Sequence, residues 1–144
     1  ILKWFYSIFD HYLKWNKTME YKMDINSIWV NEMKAGDYNP VHIHQGKLYT
    51  GLSSVMILKL PKDYGPERTH PAVPMNGRLQ ILGNVAGQFA TTDYSPQVKI
   101  GDFYVFPYDI RHVVYPFSNK KAKRRTLVCN VDVEYNPVTS RTAE

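Results

Sequence analysis

The chain of 144 residues holds a single cysteine, Cys129, which excludes an internal disulfide framework and any multi-cysteine zinc site. No apolar run approaches the roughly 18 residues that a membrane-spanning helix requires, and no membrane partner is expected. Nothing near the start joins a compact apolar stretch to a small-residue cleavage site, so no signal peptide is read and a cytoplasmic location is expected. There is no internal repeat and no low-complexity segment. Charge of one sign is not concentrated either. The net +5 comes from 18 Lys+Arg against 13 Asp+Glu, and its only dense basic run is 119–125, NKKAKRR. Nucleic-acid binding needs the charge gathered on one face of a recognisable module. A solvated hairpin loop accounts for this run, so no nucleic-acid partner is expected.

What is present in excess is aromatic side chain, 14% of the chain, with 3 Trp, 11 Tyr and 6 Phe. Tyrosine together with Val and Thr favours strands over a helix bundle. The length suits one domain, 1–144, because two would each be near the lower limit of self-sufficient size. Phe5, Ile8, Phe9, Tyr12 and Leu13 recur at the spacing of one helix face, which predicts an amphipathic helix over 1–17 lying on a sheet. From Ile25 the pattern changes to short runs with turn punctuation. Strands are predicted at 27–33, 41–44, 52–60, 77–82, 98–100, 103–106, 113–115 and 124–135. Four prolines in 61–74 mark a long loop and a candidate lid. Many short strands behind one helix predict an all-β sandwich or barrel with a helical flank.

Five histidines are available. His42 and His44 form an H-x-H pair, and side chains two apart on a strand share a face, so both imidazoles could reach one ion. Such a pair arises by chance in roughly one chain in seven, so two hydrogen-bonded or solvent-facing histidines explain it equally simply. His112 strengthens the metal reading. It follows a G-D turn, an aromatic strand and Pro107, and barrel closure brings a late strand beside an early one. Three ligands on one face leave open positions, as a catalytic metal requires. His11 is expected on the helix surface and His70 in the proline loop. On the last strand Arg124, Thr126, Val128, Asn130 and Asp132 share a face, with Arg125, Leu127, Cys129, Val131 and Val133 on the other. An arginine and a hydroxyl two residues apart could take a carboxylate by a forked ion pair and a hydrogen bond. The bland account makes them the last charges of the basic loop.

These segments in order are W-x-N at 29–31, N-P-x-H-x-H at 39–44 and a serine-bearing apolar strand at 52–61. G-D-x-x-x-F-P-x-x-x-x-H-x-V-x-P at 101–116 and R-x-T-x-x-x-N at 124–130 complete them. The set resembles the iron(II)- and 2-oxoglutarate-dependent oxygenases, in a branch with members in marine bacteria and phages. The resemblance implies a double-stranded β-helix, or jelly roll, and a dioxygenase using Fe(II), 2-oxoglutarate and O2. It would hydroxylate its substrate and release succinate and CO2. The substrate would be a small molecule or a peptidyl group, and the setting the cytoplasm of a bacterium or of an infected cell. It implies His42 and His112 as first and last metal ligands, Arg124 as partner of the far carboxylate of 2-oxoglutarate, and Thr126 beside it. The middle ligand in most of that superfamily is Asp or Glu; here it is His44, or else a carboxylate such as Asp37 or Asp109 completes the shell. Tyr104 and Phe106 would wall the pocket. A cupin without 2-oxoglutarate shares the fold and much of the punctuation, but no glutamate follows the second histidine in 45–50 and no role is left for Arg124. A non-enzymatic viral jelly-roll module is the third reading, since one fold hosts many functions.

Overall fold

The computed structural model describes residues 1–16, 20–67, 72–83, 87–90 and 92–135. The apolar spacing of the first residues does form a helix, α1 (Leu2–Trp15), which buries Phe5, Phe9 and Leu13. His11 on it is exposed. Among the described residues eight strands follow: β1 (Tyr21–Lys34), β2 (Asn39–His42), β3 (Gly51–Lys59), β4 (Leu79–Leu82), β5 (Asp93–Tyr94), β6 (Phe103–Pro107), β7 (Arg111–Val114) and β8 (Lys123–Tyr135). They make two four-stranded antiparallel sheets, in the orders β1-β8-β3-β6 and β2-β7-β4-β5. Most consecutive strands change sheet, so the chain winds around the sandwich as a jelly roll. The strand pattern's all-β sandwich is borne out, and it takes the double-stranded β-helix form that the resemblance implies. Among the described residues no helix is long and apolar enough to cross a membrane.

The period-two pattern of β8 explains the layering. Val128 faces the space between the sheets with Met33, Val55, Leu79, Phe106 and Val114. Cys129, Val131 and Val133 face outward, where Phe5, Phe9 and Leu13 of α1 cover them. The helix is thus a lid over the back of the larger sheet, and the polar residues of β8 are left to the interior. A bulge in β1 between Ile25 and Ser27 brings the side chain of Asn26 towards Gly46 and Asp132, re-aiming a residue as bulges do.

Several expectations are corrected. No strand forms at 98–100. Lys99 instead opens a turn in which Asp102 Oδ2 accepts its N–H at 2.7 Å, and Gly101, at φ 94°, donates its N–H to Ile57 O at 2.8 Å. Strand β1 begins six residues before the expected start, and β5 had no expected counterpart. Strand β2 ends at His42, so His44 lies in the loop beyond it. The proline loop is anchored where it is described. Tyr64 O accepts the N–H groups of Ser118 and Asn119 at 3.0 and 3.1 Å, and the Glu67 carboxylate accepts those of Met75 and Asn76 at 2.7 and 2.9 Å. His70 lies outside the described residues.

Candidate metal centre

His42 and His112 are direct cross-strand partners on β2 and β7, with ring centroids 4.2 Å apart. Strand pairing alone therefore brings together two imidazoles that are 70 positions apart in the chain. His44 reaches them from its loop because its N–H donates to Tyr108 O at 2.9 Å. One ring nitrogen of each histidine lies within 4.8 Å of the others, and the Nε2 atoms of His44 and His112 are 3.1 Å apart. Two nitrogens each about 2.1 Å from one ion, at a right angle, would be roughly 3 Å apart, so this spacing suits a shared cation. The Nδ1 atoms point away: His42 to Pro40 O at 2.6 Å, His112 to Ile110 O at 3.0 Å, and His44 to Asn130 Nδ2 at 3.3 Å. Backbone carbonyls only accept, which fixes Nδ1–H on His42 and His112 and leaves their Nε2 lone pairs to a metal.

Burial, and after it the neighbouring imidazoles, pulls the His44 pKa down to about 4. His112 is lowered to about 4 by burial as well, against an opposing backbone hydrogen bond at Ile110. Both are therefore neutral near pH 7, the form that ligates. The group contains no carboxylate. Asp37 accepts the Lys34 N–H at 2.7 Å in the turn before β2, and Asp109 is exposed in the turn between β6 and β7.

The loop carrying His44 is held by Asp132, which is 3% exposed. Its Oδ2 accepts the N–H groups of Lys47 and Leu48 at 2.9 and 3.2 Å, and its Oδ1 accepts the Tyr108 hydroxyl at 3.0 Å. Gly46 is required by the same contact, since a Cβ there would stand 1.9 Å from Asp132 Oδ1.

The imidazoles open onto a cavity of about 310 Å³ between the sheets, whose walls include Trp29, Asn31, Ser53, Phe106, Arg124 and Thr126. Tyr104 packs in the core beside it and is not part of the lining, nor is any described residue of the proline loop. Arg124 is 1% exposed, yet among the described residues its Nε and Nη2 have no hydrogen-bond partner. Burial lowers its pKa, with Tyr64 opposing. A guanidinium edge buried without a partner is costly, and Nε with Nη2 is the edge that takes a carboxylate bidentately. The Ser53 hydroxyl and Asn130 Oδ1 are likewise buried and unpartnered. Arg125 faces the other way and pairs with Glu32, which also binds Lys123 at 2.8 Å. These two cations pull Glu32 down to about 2. Serine, asparagine and aspartate at 53, 130 and 132 carried no assigned role in the sequence, because their partners lie on distant strands.

A jelly roll that gathers three imidazoles and a buried arginine around one cavity has the donor set of a non-haem metal protein. A sequence model described as "Putative 2OG-Fe(II) oxygenase" matches residues 27–130. The chain belongs to this 2OG-Fe(II) oxygenase family. The structure is similar to that of an oxidoreductase of the 2OG-Fe(II) oxygenase family from Burkholderia pseudomallei, at 15% identity and a TM-score of 0.54. That likeness covers 79% of this chain but 47% of the other, so the chain spans about half that protein's length. An RmlC-like cupin protein from Desulfovibrio desulfuricans overlaps 77% of this chain and 81% of its own, at 17% identity and a TM-score of 0.39. No curated protein matches the sequence.

Proposed function

We propose that residues 1–144 act as one domain with Fe(II)- and 2-oxoglutarate-dependent dioxygenase activity. His42, His44 and His112 hold the iron, and Arg124 with Thr126 holds the far carboxylate of 2-oxoglutarate. One observation carries this reading. A three-imidazole group and a buried arginine with two free donors share a single cavity. When bound, iron and 2-oxoglutarate supply O2 activation, with succinate and CO2 as products and one oxygen atom delivered to a substrate C–H bond.

The chain's own residues bind, orient and exclude water. His44 and His112 stay neutral well below pH 7, and His112, with Nδ1–H on Ile110 O, keeps its Nε2 lone pair for the metal. Arg124 supplies a positive charge for the far carboxylate of the doubly anionic cosubstrate, while three imidazoles add no negative charge of their own to the site. Phe106, Leu79, Val114 and Val128 make the walls apolar, which strengthens that ion pair. A cupin without 2-oxoglutarate would leave the unpartnered edge of Arg124 unexplained.

Anaerobic titration with Fe(II) and 2-oxoglutarate tests this. A visible metal-to-ligand charge-transfer band is expected in the wild type and absent in Arg124→Ala, with succinate formed once O2 is admitted. Absence of both band and succinate in the wild type overturns the reading.

A further inference from the structure

The three histidines are not partnered alike. His42 and His112 direct Nδ1 at backbone carbonyls, which accept only. His44 alone directs Nδ1 at a carboxamide, Asn130, which donates from one end and accepts at the other. Asn130 is 4% exposed, and its Oδ1 has no partner among the described residues.

Proton accounting gives this difference a consequence. With His112 protonated on Nδ1 for Ile110 O, its Nε2 bears a lone pair. Without a cation, His44 Nε2 at 3.1 Å must then carry a hydrogen, or two lone pairs would face each other. His44 Nδ1 is consequently an acceptor, for which the Asn130 amide nitrogen 3.3 Å away is a suitable donor. A cation shared by the three rings reverses this. His44 Nε2 must give up its hydrogen to solvent and Nδ1 must gain one, so the ring stays neutral and no net proton is taken up or lost. Nδ1–H then needs an acceptor, and the idle Oδ1 of Asn130 is the atom that supplies it when the amide turns over.

We propose that Asn130 is the positioning residue of the three-histidine group, a two-setting amide: Nδ2 donates to His44 Nδ1 in the metal-free protein, and Oδ1 accepts from His44 Nδ1–H once a metal is bound. The inference rests on the metal-centre reading above. A carboxylate at 130 would keep a hydrogen on His44 Nδ1 with or without metal, and an aliphatic residue would serve neither setting. Because both amide settings keep His44 uncharged, the group closes on itself when empty and opens to a cation without burying a charge on the ring.

Imidazole 15N NMR of the full chain, without metal and with the diamagnetic probe Zn(II), reads the tautomer of each histidine directly. The expected result is Nε2–H on His44 without metal and Nδ1–H with Zn(II), while His42 and His112 keep Nδ1–H throughout. Asn130→Asp should show Nδ1–H on His44 before any metal is added, with Zn(II) affinity retained. Asn130→Leu should lose about ten- to a hundredfold in Zn(II) affinity. If Zn(II) shifts His42 and His112 while His44 keeps one tautomer in both states, the two-setting amide is overturned and the metal centre stands. If Zn(II) moves none of the three, the centre itself is overturned and the amide role with it. The wild-type measurement needs no variant, so a poorly folding Asn130→Leu does not decide the matter.

Discussion

His44 and His112, 68 positions apart in the chain, bring their Nε2 atoms to 3.1 Å. Two different devices create that distance. His112 is set by antiparallel pairing of β7 with β2, whereas His44 is set by a loop hydrogen-bonded to Tyr108 and, one step further on, to Asp132. The sheet therefore fixes one side of the centre and a buried carboxylate fixes the other.

Arg124 separates binding from stability. It is a buried cation with two unpartnered donors among the described residues, an arrangement that costs stability, so an apolar side chain of similar length should not. Arg124→Met should thus keep or raise Tm while abolishing 2-oxoglutarate binding. Differential scanning fluorimetry of Mn(II)-loaded protein checks both at once. Ligand at a hundred times its Kd should add about 2.7 kcal/mol to the wild type and nothing to the variant. A large loss of Tm in Arg124→Met would instead make the arginine a structural element.

The two depressed histidines give stability a pH dependence of definite sign. Their folded pKa values near 4 lie below the unfolded value of about 6.5, so the unfolded chain binds more protons between those limits. Stability is full above about pH 6.5 and falls as pH drops towards 4. After allowance for partial solvent screening, the loss per histidine is on the order of 2 kcal/mol. Urea denaturation of the metal-free protein between pH 7.5 and 4 should show this slope. His44→Gln should flatten it by about half, and an unchanged slope would remove His44 as a source.

Periodicity made the larger part of this fold legible. The helical stripe of Phe5, Phe9 and Leu13 and the two faces of β8 need only spacings of 3.6 and 2, and both occur as read. The start of β1 was also present as alternation of Tyr21, Met23 and Ile25 with Lys22 and Asp24, although the expected strand began at Ser27. Strand β5, two exposed residues long, offers no pattern to read. The metal group was visible as residue types, but its geometry was not. His44 shares its site through a loop and not through strand alternation. The partners of His44 and of the Asp132 loop, at separations of 84 to 86 residues, depend on closure of the barrel, which no local pattern encodes.

Asp132 should matter to both the fold and the centre. Removing it leaves the N–H groups of Lys47 and Leu48 and the Tyr108 hydroxyl without their acceptor, and each buried orphan costs about 1–3 kcal/mol. Asp132→Ala is expected to lose about 3 kcal/mol or more in urea denaturation and, because His44 loses its anchored loop, to weaken Co(II) binding as read by its visible absorption. Gly46→Ala drives a Cβ into the same carboxylate and should reproduce the metal defect with Asp132 still present. Normal Co(II) affinity in both variants would show that the Tyr108 hydrogen bond alone suffices to hold His44.

Cys129 reports on the opposite face of the same strand. Its thiol is fully buried under α1 among Phe5, Phe9 and Leu13, and burial pushes its pKa up to about 12. At pH 8 the thiolate fraction is then on the order of one in ten thousand, and since the thiolate is the reacting form, a thiol reagent should leave the native protein unlabelled and modify one equivalent in denaturant. Phe9→Ala loosens the cover at a cost of about 3–5 kcal/mol, so labelling under native conditions should accelerate sharply. Because α1 packs on the outer surface of the larger sheet while the histidines and Arg124 face inward, metal affinity measured on the fraction that remains folded should not change. Loss of metal binding in step with thiol exposure would mean that the two faces of β8 open as one unit.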